Sequence, residues 1–121
     1  MMIKKYRLNG TDYARKAAEA ASDRQASDIL VLDVRKICSF ADYFVICTAE
    51  TSRHSETLKE VISKSLKEVG IQMLHAEGGS SSGWVLLDYG DIIIHIFSRA
   101  EREYYKLDEL WTTANIVVRI Q

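Results

Sequence analysis

The segment Trp84–Phe97 restricts the fold more than any other part of the chain, because it predicts two strands joined by a two-residue turn. Gly90-Asp91 suits a type II′ turn, since glycine takes positive φ at the first central position without a Cβ clash. That turn sets the register and places six apolar side chains on one face: Val85, Leu87, Tyr89, Ile92, Ile94 and Ile96. The sequence therefore predicts an antiparallel hairpin with one fully apolar face.

The opposite face of this hairpin is mixed in character. Its members form three cross-strand pairs: Trp84 with Phe97, Leu86 with His95, and Asp88 with Ile93. Such a face is either a second core with satisfied polar groups or a contact surface. Buried polar groups with partners are common, so the pattern favours the core, and the contact surface stays open as the alternative.

Helical and strand patterns alternate through the rest of the chain. The predicted elements are a helix over 11–24 with Thr11 as N-cap, strands over 29–34 and 43–49, a helix over 52–69 capped by Ser52 and ended by Gly70, a strand over 71–75, a flexible loop over 78–83 and a helix over 100–111. Residues 115–121 are either a short edge strand or a weakly ordered extension. This order predicts an α+β fold, a mixed β-sheet with helices packed on it.

Size and charge limit the possible partners. A chain of 121 residues with 47% apolar content buries roughly two thirds of its extended surface, enough for one core without a metal or disulfide. Sixteen Lys and Arg against 17 Asp and Glu give a net charge of −1. A protein that neutralises several phosphates carries a basic excess, so we expect little direct nucleic-acid binding. A partner in a nucleic-acid machine is then expected to be a protein component.

The chain carries no sign of export or membrane insertion. No run of about 18 apolar residues occurs, and the opening residues lack the apolar region and cleavage site of a secretory signal. We therefore expect a cytoplasmic protein with no membrane partner and reduced cysteines. Cys47 falls in an apolar strand and is expected to be an inert buried thiol.

The candidate chemical groups do not form a recognisable catalytic or metal motif. Two-metal nucleotidyl transfer needs carboxylates on adjacent strand positions, whereas Asp88 and Asp91 flank a turn and Asp33 stands alone in its strand. The loop 78–83 lacks the Gly-Lys-Ser/Thr of a phosphate-binding loop. His95 is expected to be a hydrogen-bonded structural histidine. We assign no catalytic residue, metal or cofactor, which leaves a binding protein with an unnamed partner.

Aromatic residues concentrate where the hairpin meets the following helix. Trp84, Tyr104, Tyr105 and Trp111 fall in this region, and Tyr104, Leu107 and Trp111 share one helical face. Aromatic side chains supply large contact area at low entropic cost, which suits interface anchors.

The ordered series Trp84–Phe97 followed by Arg102–Trp111 resembles the ribosomal silencing factor family, also called Iojap-like proteins. The similarity extends to Ala41–Ile46, to Thr51–His54 and to Glu77-Gly78. It covers about residues 12–112 of a single domain over 1–121, with residues 113–121 as a C-terminal extension.

The resemblance implies a nucleotidyltransferase-like topology without the catalytic carboxylates of that superfamily. It also implies a homodimer that binds the fourteenth protein of the large ribosomal subunit, blocks joining of the small subunit and so represses translation. A metal-dependent nucleotidyltransferase-type enzyme and a large-subunit assembly factor are the alternatives.

The resemblance also suggests which residues contact the ribosomal protein. They are Trp84, Leu86, Asp88, Tyr89 and Asp91 from the hairpin, and Arg102, Tyr104, Tyr105 and Leu107 from the segment after it. Tyr89, Leu107 and Trp111 are equally compatible with a role in the core or in a dimer interface.

Overall fold

A computed structural model describes residues 9–106, 109 and 114–121, and within them it contains six strands and three helices. In chain order these are α1 (Gly10–Asp23), β1 (Ser27–Asp33), β2 (Tyr43–Ala49), α2 (Ser52–Glu68), β3 (His75–Glu77), β4 (Trp84–Asp88), β5 (Ile92–Ser98), α3 (Arg99–Tyr105) and β6 (Asn115–Ile120).

The strands form one mixed sheet in the order β3-β4-β5-β2-β1-β6. Strands β2 and β5 are parallel, and the chain between them contains α2, β3 and β4, while the other neighbouring pairs are antiparallel. The α+β class with a mixed sheet and flanking helices is confirmed. Strand β6 lies at the edge against β1, so the edge-strand alternative for the C-terminal segment is the correct one.

The central hairpin has the predicted register. Trp84 pairs with Phe97 and Leu86 pairs with His95, and the Tyr89 N–H donates to the Ile92 carbonyl at 2.9 Å. Gly90 has a φ of +88°, as the turn requires. Successive side chains along each strand of the hairpin therefore point to opposite faces of the sheet.

The two faces of the sheet carry separate apolar cores. Helices α1 and α2 cover the first face, where the main core includes all six hairpin residues of the predicted apolar face. The second face carries a smaller core built around Leu30, Phe44, Ile46 and Phe97, with Trp84 and Leu86 packed at its margin. The mixed face of the hairpin is therefore at least partly a core.

The helix caps lie slightly upstream of the predicted positions. Asn9, not Thr11, caps α1 in a capping box with Asp12. Thr51, not Ser52, caps α2 by accepting the His54 N–H at 3.0 Å. The Thr11 hydroxyl instead donates to the Tyr43 hydroxyl at 2.6 Å. At each helix start, two nearby polar residues could serve as the N-cap, and the packing of the helix against the sheet determines which of them does.

The predicted strand over 71–75 is wrong, because β3 begins at His75. The Ile71 N–H donates to the Leu66 carbonyl at 3.0 Å and so completes the end of α2 after Gly70. Ile71 and Met73 pack against the main core, which explains the apolar pattern. The loop that follows contains a 3₁₀ turn over Ser80–Ser82.

Helix α3 differs in extent from the predicted helix over 100–111. It starts at Arg99 with Ser98 as its N-cap, and Lys106 in the left-handed region ends it. The predicted positions Leu107 and Trp111 lie outside the described residues. In the described part of the chain, no helix is both long and apolar enough to cross a bilayer.

Gly78 provides a stability prediction with a matched neighbour. Gly78 has a φ of +82°, and a Cβ there would lie 2.1 Å from the Trp84 carbonyl oxygen, whereas a Cβ on Gly79 meets nothing within 4 Å. We expect Gly78→Ala to lower the free energy of unfolding by about 1–2 kcal/mol, and Gly79→Ala by less than about 0.5 kcal/mol. Urea unfolding of both variants measures the difference, and equal losses would contradict the close backbone approach.

Candidate functional site

A continuous row of ring side chains crosses the second face of the sheet. Its members, called the aromatic row below, are Phe40, Phe44, His95, Trp84, Phe97, Tyr105 and Tyr104. They come from the β1–β2 loop, three different strands and α3. The row therefore joins residues that are distant in the chain.

Trp84 lies at the centre of the row. Its ring centroid is 4.6 Å from that of Tyr105 and 4.9 Å from that of Phe97. Tyr104 with Tyr105 and Phe44 with His95 are T-shaped ring pairs, each with a centroid distance of 5.0 Å. Contacts of this kind add to the stability supplied by area burial alone.

The row is buried in the middle and exposed at its ends. Phe97 is fully buried, while Tyr105 is 40% exposed, Tyr104 78% and Phe40 65%. Trp84 is half-buried. Tyr104 and Tyr105 are exposed rings that contact each other, and clustered apolar side chains on the surface are one mark of a protein-contact site.

The local sequence explains why α3 returns to this face. The Ser98 N–H donates to the Gly83 carbonyl at 2.8 Å, and its hydroxyl accepts the Glu101 N–H at 3.1 Å. The end of β5 is thereby the start of α3, with no intervening loop. Tyr105, in the last position of this short helix, reaches Trp84 and Phe97.

His95 contacts Trp84 in a directional way. Its Nδ1 accepts the indole Nε1–H of Trp84 at 3.2 Å, so the proton of the neutral ring belongs on Nε2. That Nε2 is buried and has no hydrogen-bond partner among the described residues. Burial lowers the pKa of His95 to about 4, which keeps the ring neutral near pH 7. The expected structural hydrogen bond is thus present at one nitrogen.

The predicted polar contact residues are tied into their own chain to different degrees. Asp88 Oδ1 accepts the Gly90 N–H at 2.7 Å and so stabilises the hairpin turn. Arg102 Nη1 donates to the hydroxyl of buried Thr48 at 2.9 Å, which anchors α3 to β2. Asp91 is exposed at the turn.

The nine predicted contact residues do not all lie on one surface. Trp84, Leu86, Tyr104 and Tyr105 belong to the second face, and Arg102 faces the same sheet surface through Thr48. Asp88 and Asp91 lie at the hairpin end. Tyr89 is 6% exposed within the main core of the first face. Leu107 lies outside the described residues.

Sequence reasoning missed one exposed residue that extends this surface. Phe40 lies in the β1–β2 loop, is 65% exposed, and has its ring centroid 6.3 Å from that of Phe44. An aromatic side chain in a predicted loop was the available signal. Its meaning depended on the parallel pairing of β2 with β5, which brings Phe44 beside the hairpin.

The groups considered for catalysis are separated in space. Asp33 lies on β1 and Asp88 on β4, with β2 and β5 between them. Arg35 forms a bidentate pair with Asp33 at 2.9 and 2.7 Å and holds the pKa of that carboxyl below its usual range. In the ranges that the structure describes, no cluster of three or more potential metal ligands occurs. Cys47 is buried, which raises its pKa to about 12 and keeps it a thiol.

Known proteins resemble this chain over most of its length. A family model described as "Ribosomal silencing factor during starvation" matches residues 8–121. The ribosomal silencing factor of Bacillus subtilis is 38% identical over 107 residues, which cover 88% of this chain and 91% of that protein. A crystal structure of a Chromobacterium violaceum protein superposes with a TM-score of 0.83 at 30% identity, covering 92% of this chain and 94% of that one.

A more distant relative carries a different name. The mouse protein "Mitochondrial assembly of ribosomal large subunit protein 1" is 31% identical over 90 residues, which span 72% of this chain but 40% of the mouse protein. The mouse chain thus contains substantial sequence beyond the shared part.

Proposed function

Because the chain belongs to the ribosomal silencing factor family, we propose that it represses translation by binding the large ribosomal subunit and preventing the small subunit from joining. The docking point is the fourteenth protein of the large subunit, on the face where the subunits meet. A folded domain bound on that face excludes the other subunit by volume, so no covalent step is needed.

The single observation that supports this proposal most is the exposed aromatic row on the second face. Binding energy in protein interfaces concentrates in a few aromatic and Arg anchors near the centre of the contact. Trp84 with Tyr105 provides such a centre, and Tyr104 and Phe40 extend it on either side. Leu86 adds apolar area at the margin of the same core.

The charge of the chain favours a protein partner over ribosomal RNA. A net charge of −1 gives no general attraction to phosphates. Asp91 is exposed in the hairpin turn and can pair with a basic residue of the partner. Asp88 and Arg102 act mainly by holding the hairpin and α3 in place, and Tyr89 supports the hairpin from within the main core.

The oligomeric state and the cellular location complete the proposal. We take the whole chain to act as one binding domain, in the cytoplasm, as a homodimer when it is not on the ribosome. Sedimentation equilibrium of the purified protein tests the dimer, and a single species of monomer mass at micromolar concentration would contradict it.

Subunit joining provides the decisive test of the repressor mechanism. Purified large and small subunits are mixed with increasing amounts of the protein, and joined ribosomes are separated from free subunits on a gradient. The expected result is loss of joined ribosomes, with the protein sedimenting alongside free large subunits. Normal joining at saturating protein would overturn the proposal, as would metal-dependent nucleotide turnover that Asp88→Ala abolishes.

The name of the mouse relative favours one second candidate, a role in assembling the large subunit. The same contact surface permits both roles, so the state of the bound subunit distinguishes them. A repressor binds mature large subunits, whereas an assembly factor is recovered mainly with precursors that contain immature RNA. Affinity purification from growing and from starved cells, followed by sizing of the bound RNA, separates the two.

Tyr104 allows a test of the surface with little risk to the fold. Its side chain is 78% exposed and contacts Tyr105 edge-on, so Tyr104→Ala should weaken binding to large subunits by about 1 kcal/mol, roughly fivefold. We expect a change in unfolding free energy of less than about 0.5 kcal/mol. Leu74→Ala is the matched control, because Leu74 is 70% exposed but does not belong to the aromatic row. Equal effects of the two variants on binding would argue against this surface.

A further inference from the structure

His95 contains one of only two fully buried side-chain polar atoms that lack a hydrogen-bond partner in the part of the chain that the structure describes. Its Nε2 carries a proton, because Nδ1 accepts from Trp84. A buried donor without an acceptor destabilises the folded state, and such groups are rare enough to need an explanation.

His95 lies in an apolar environment that would suit a phenylalanine side chain. The ring stacks with Phe97 at an interplanar angle of 7° and a centroid distance of 6.1 Å. It meets Phe44 edge-on at 5.0 Å, and it is 5% exposed. A phenylalanine would fill this position without the unpaired Nε2–H, but it would leave the Trp84 indole N–H without its acceptor. Packing alone therefore does not account for a histidine here.

The feature that a phenylalanine would lose is the acceptor for the Trp84 indole. The contacts of Trp84 with Phe97 and Tyr105 are ring contacts that tolerate rotation of the indole. The Nε1–H···Nδ1 hydrogen bond of 3.2 Å is directional and fixes which edge of the indole points inward. That bond therefore limits which part of the half-buried indole is left to the surface.

We propose that His95 is a positioning residue that holds the Trp84 indole in the orientation required by the ribosomal partner. This inference rests on the proposed function, since it concerns the same contact surface. The buried, unsatisfied Nε2 is the cost of that orientation, which an apolar ring could not supply. Pre-ordering one large side chain removes an entropic penalty at the moment of binding.

Two substitutions separate orientation from packing. His95→Phe keeps an aromatic ring but removes the acceptor, whereas the Oδ1 of His95→Asn takes approximately the place of Nδ1 and can accept the indole proton. We expect His95→Phe to fold with an unfolding midpoint at pH 7 close to that of the wild type, because the change removes the unpaired Nε2–H but also removes the acceptor of the half-buried Trp84 indole. Its affinity for purified large subunits should fall by roughly three- to tenfold. His95→Asn should recover most of that affinity at a temperature where it is folded.

The indole N–H resonance provides a readout that a purely structural role would not move. The chain has two tryptophans, and Trp84→Phe assigns the Trp84 signal in a ¹H–¹⁵N spectrum. In the wild type and in His95→Asn this proton should exchange slowly with solvent. In His95→Phe it should shift upfield and exchange faster, while the backbone signals of the other strands stay in place.

The outcomes distinguish this inference from the proposed function. If His95→Phe binds as the wild type does while Trp84→Ala loses binding, the positioning role is wrong and the contact surface stands. If Trp84→Ala also binds normally, the proposed surface itself is wrong. Failure of His95→Phe to fold would overturn the inference as well, because the pocket is argued to accept an apolar ring.

Discussion

Replacing Trp84 with alanine is expected to weaken binding to the large ribosomal subunit by about 2 kcal/mol or more, a loss of roughly thirtyfold or greater. Trp84 is the ring that joins Tyr105 on one side to Phe97 and His95 on the other. Truncating it removes its own contact area and releases Tyr105 from its neighbour. Titration of labelled protein with purified large subunits measures the dissociation constant.

A change in folding could imitate a loss of binding, because Trp84 is half-buried against the second core. Trp84→Phe is therefore measured beside Trp84→Ala, since it retains a ring in the core but loses the indole edge. Tyr105→Ala removes the other ring of the Trp84–Tyr105 pair and provides a second test of the same contact. Loss of folding rather than of binding, read by circular dichroism, would assign Trp84 to the core. Unchanged affinity in folded Trp84→Ala and Tyr105→Ala would exclude this face as the contact surface.

The hairpin was the most predictable part of the fold, for a physical reason. Its register depends on one turn and on the alternation of side chains between the two faces of the sheet, and both can be identified from residues that are close together in the sequence. The pairing of Trp84 with Phe97 and of Leu86 with His95 followed directly. Strand β2 matched its predicted bounds, because a run of β-branched and aromatic residues between polar ends leaves little choice.

Two predictions failed because the local sequence is compatible with more than one arrangement. Ile71 was assigned to a strand but completes the end of α2, since its apolar side chain suits either environment. Asn9 displaced Thr11 as the cap of α1, and the freed Thr11 hydroxyl bonds Tyr43 on β2. Such choices depend on packing against the sheet, which a local pattern does not contain.

The candidate site was predictable only in part. Trp84, Tyr104 and Tyr105 were found as a concentration of aromatics, and the structure brings them together. Phe40 was missed, because it joins the row through Phe44 on a strand paired in parallel with β5. Parallel pairing requires a long crossover and leaves no local turn signal. The hydrogen bond between Trp84 and His95 likewise depends on two rotamers, which the sequence does not specify.

The stability of the fold is expected to depend on pH through His95. Burial lowers its pKa from 6.5 to about 4, so below pH 6.5 the unfolded chain takes up a proton that the folded chain resists. The unfolded state then binds more protons, and the free energy of unfolding falls as the pH falls. Its contribution is fully present above pH 6.5, and by pH 4 about 3 kcal/mol should be lost.

Comparison with His95→Phe isolates this term, because the other ionisable groups, including His54 and His75, are present in both proteins and their effect cancels in the difference. The two proteins are unfolded with urea at several pH values between 7 and 4. The variant should gain stability relative to the wild type as the pH falls, by about 3 kcal/mol over that range. The gain should follow the titration of one group, since the ring and hydrogen-bond neighbours of His95 named above carry no charge. Parallel pH profiles would mean that His95 protonates in the folded protein, and that the second core admits water beside Trp84.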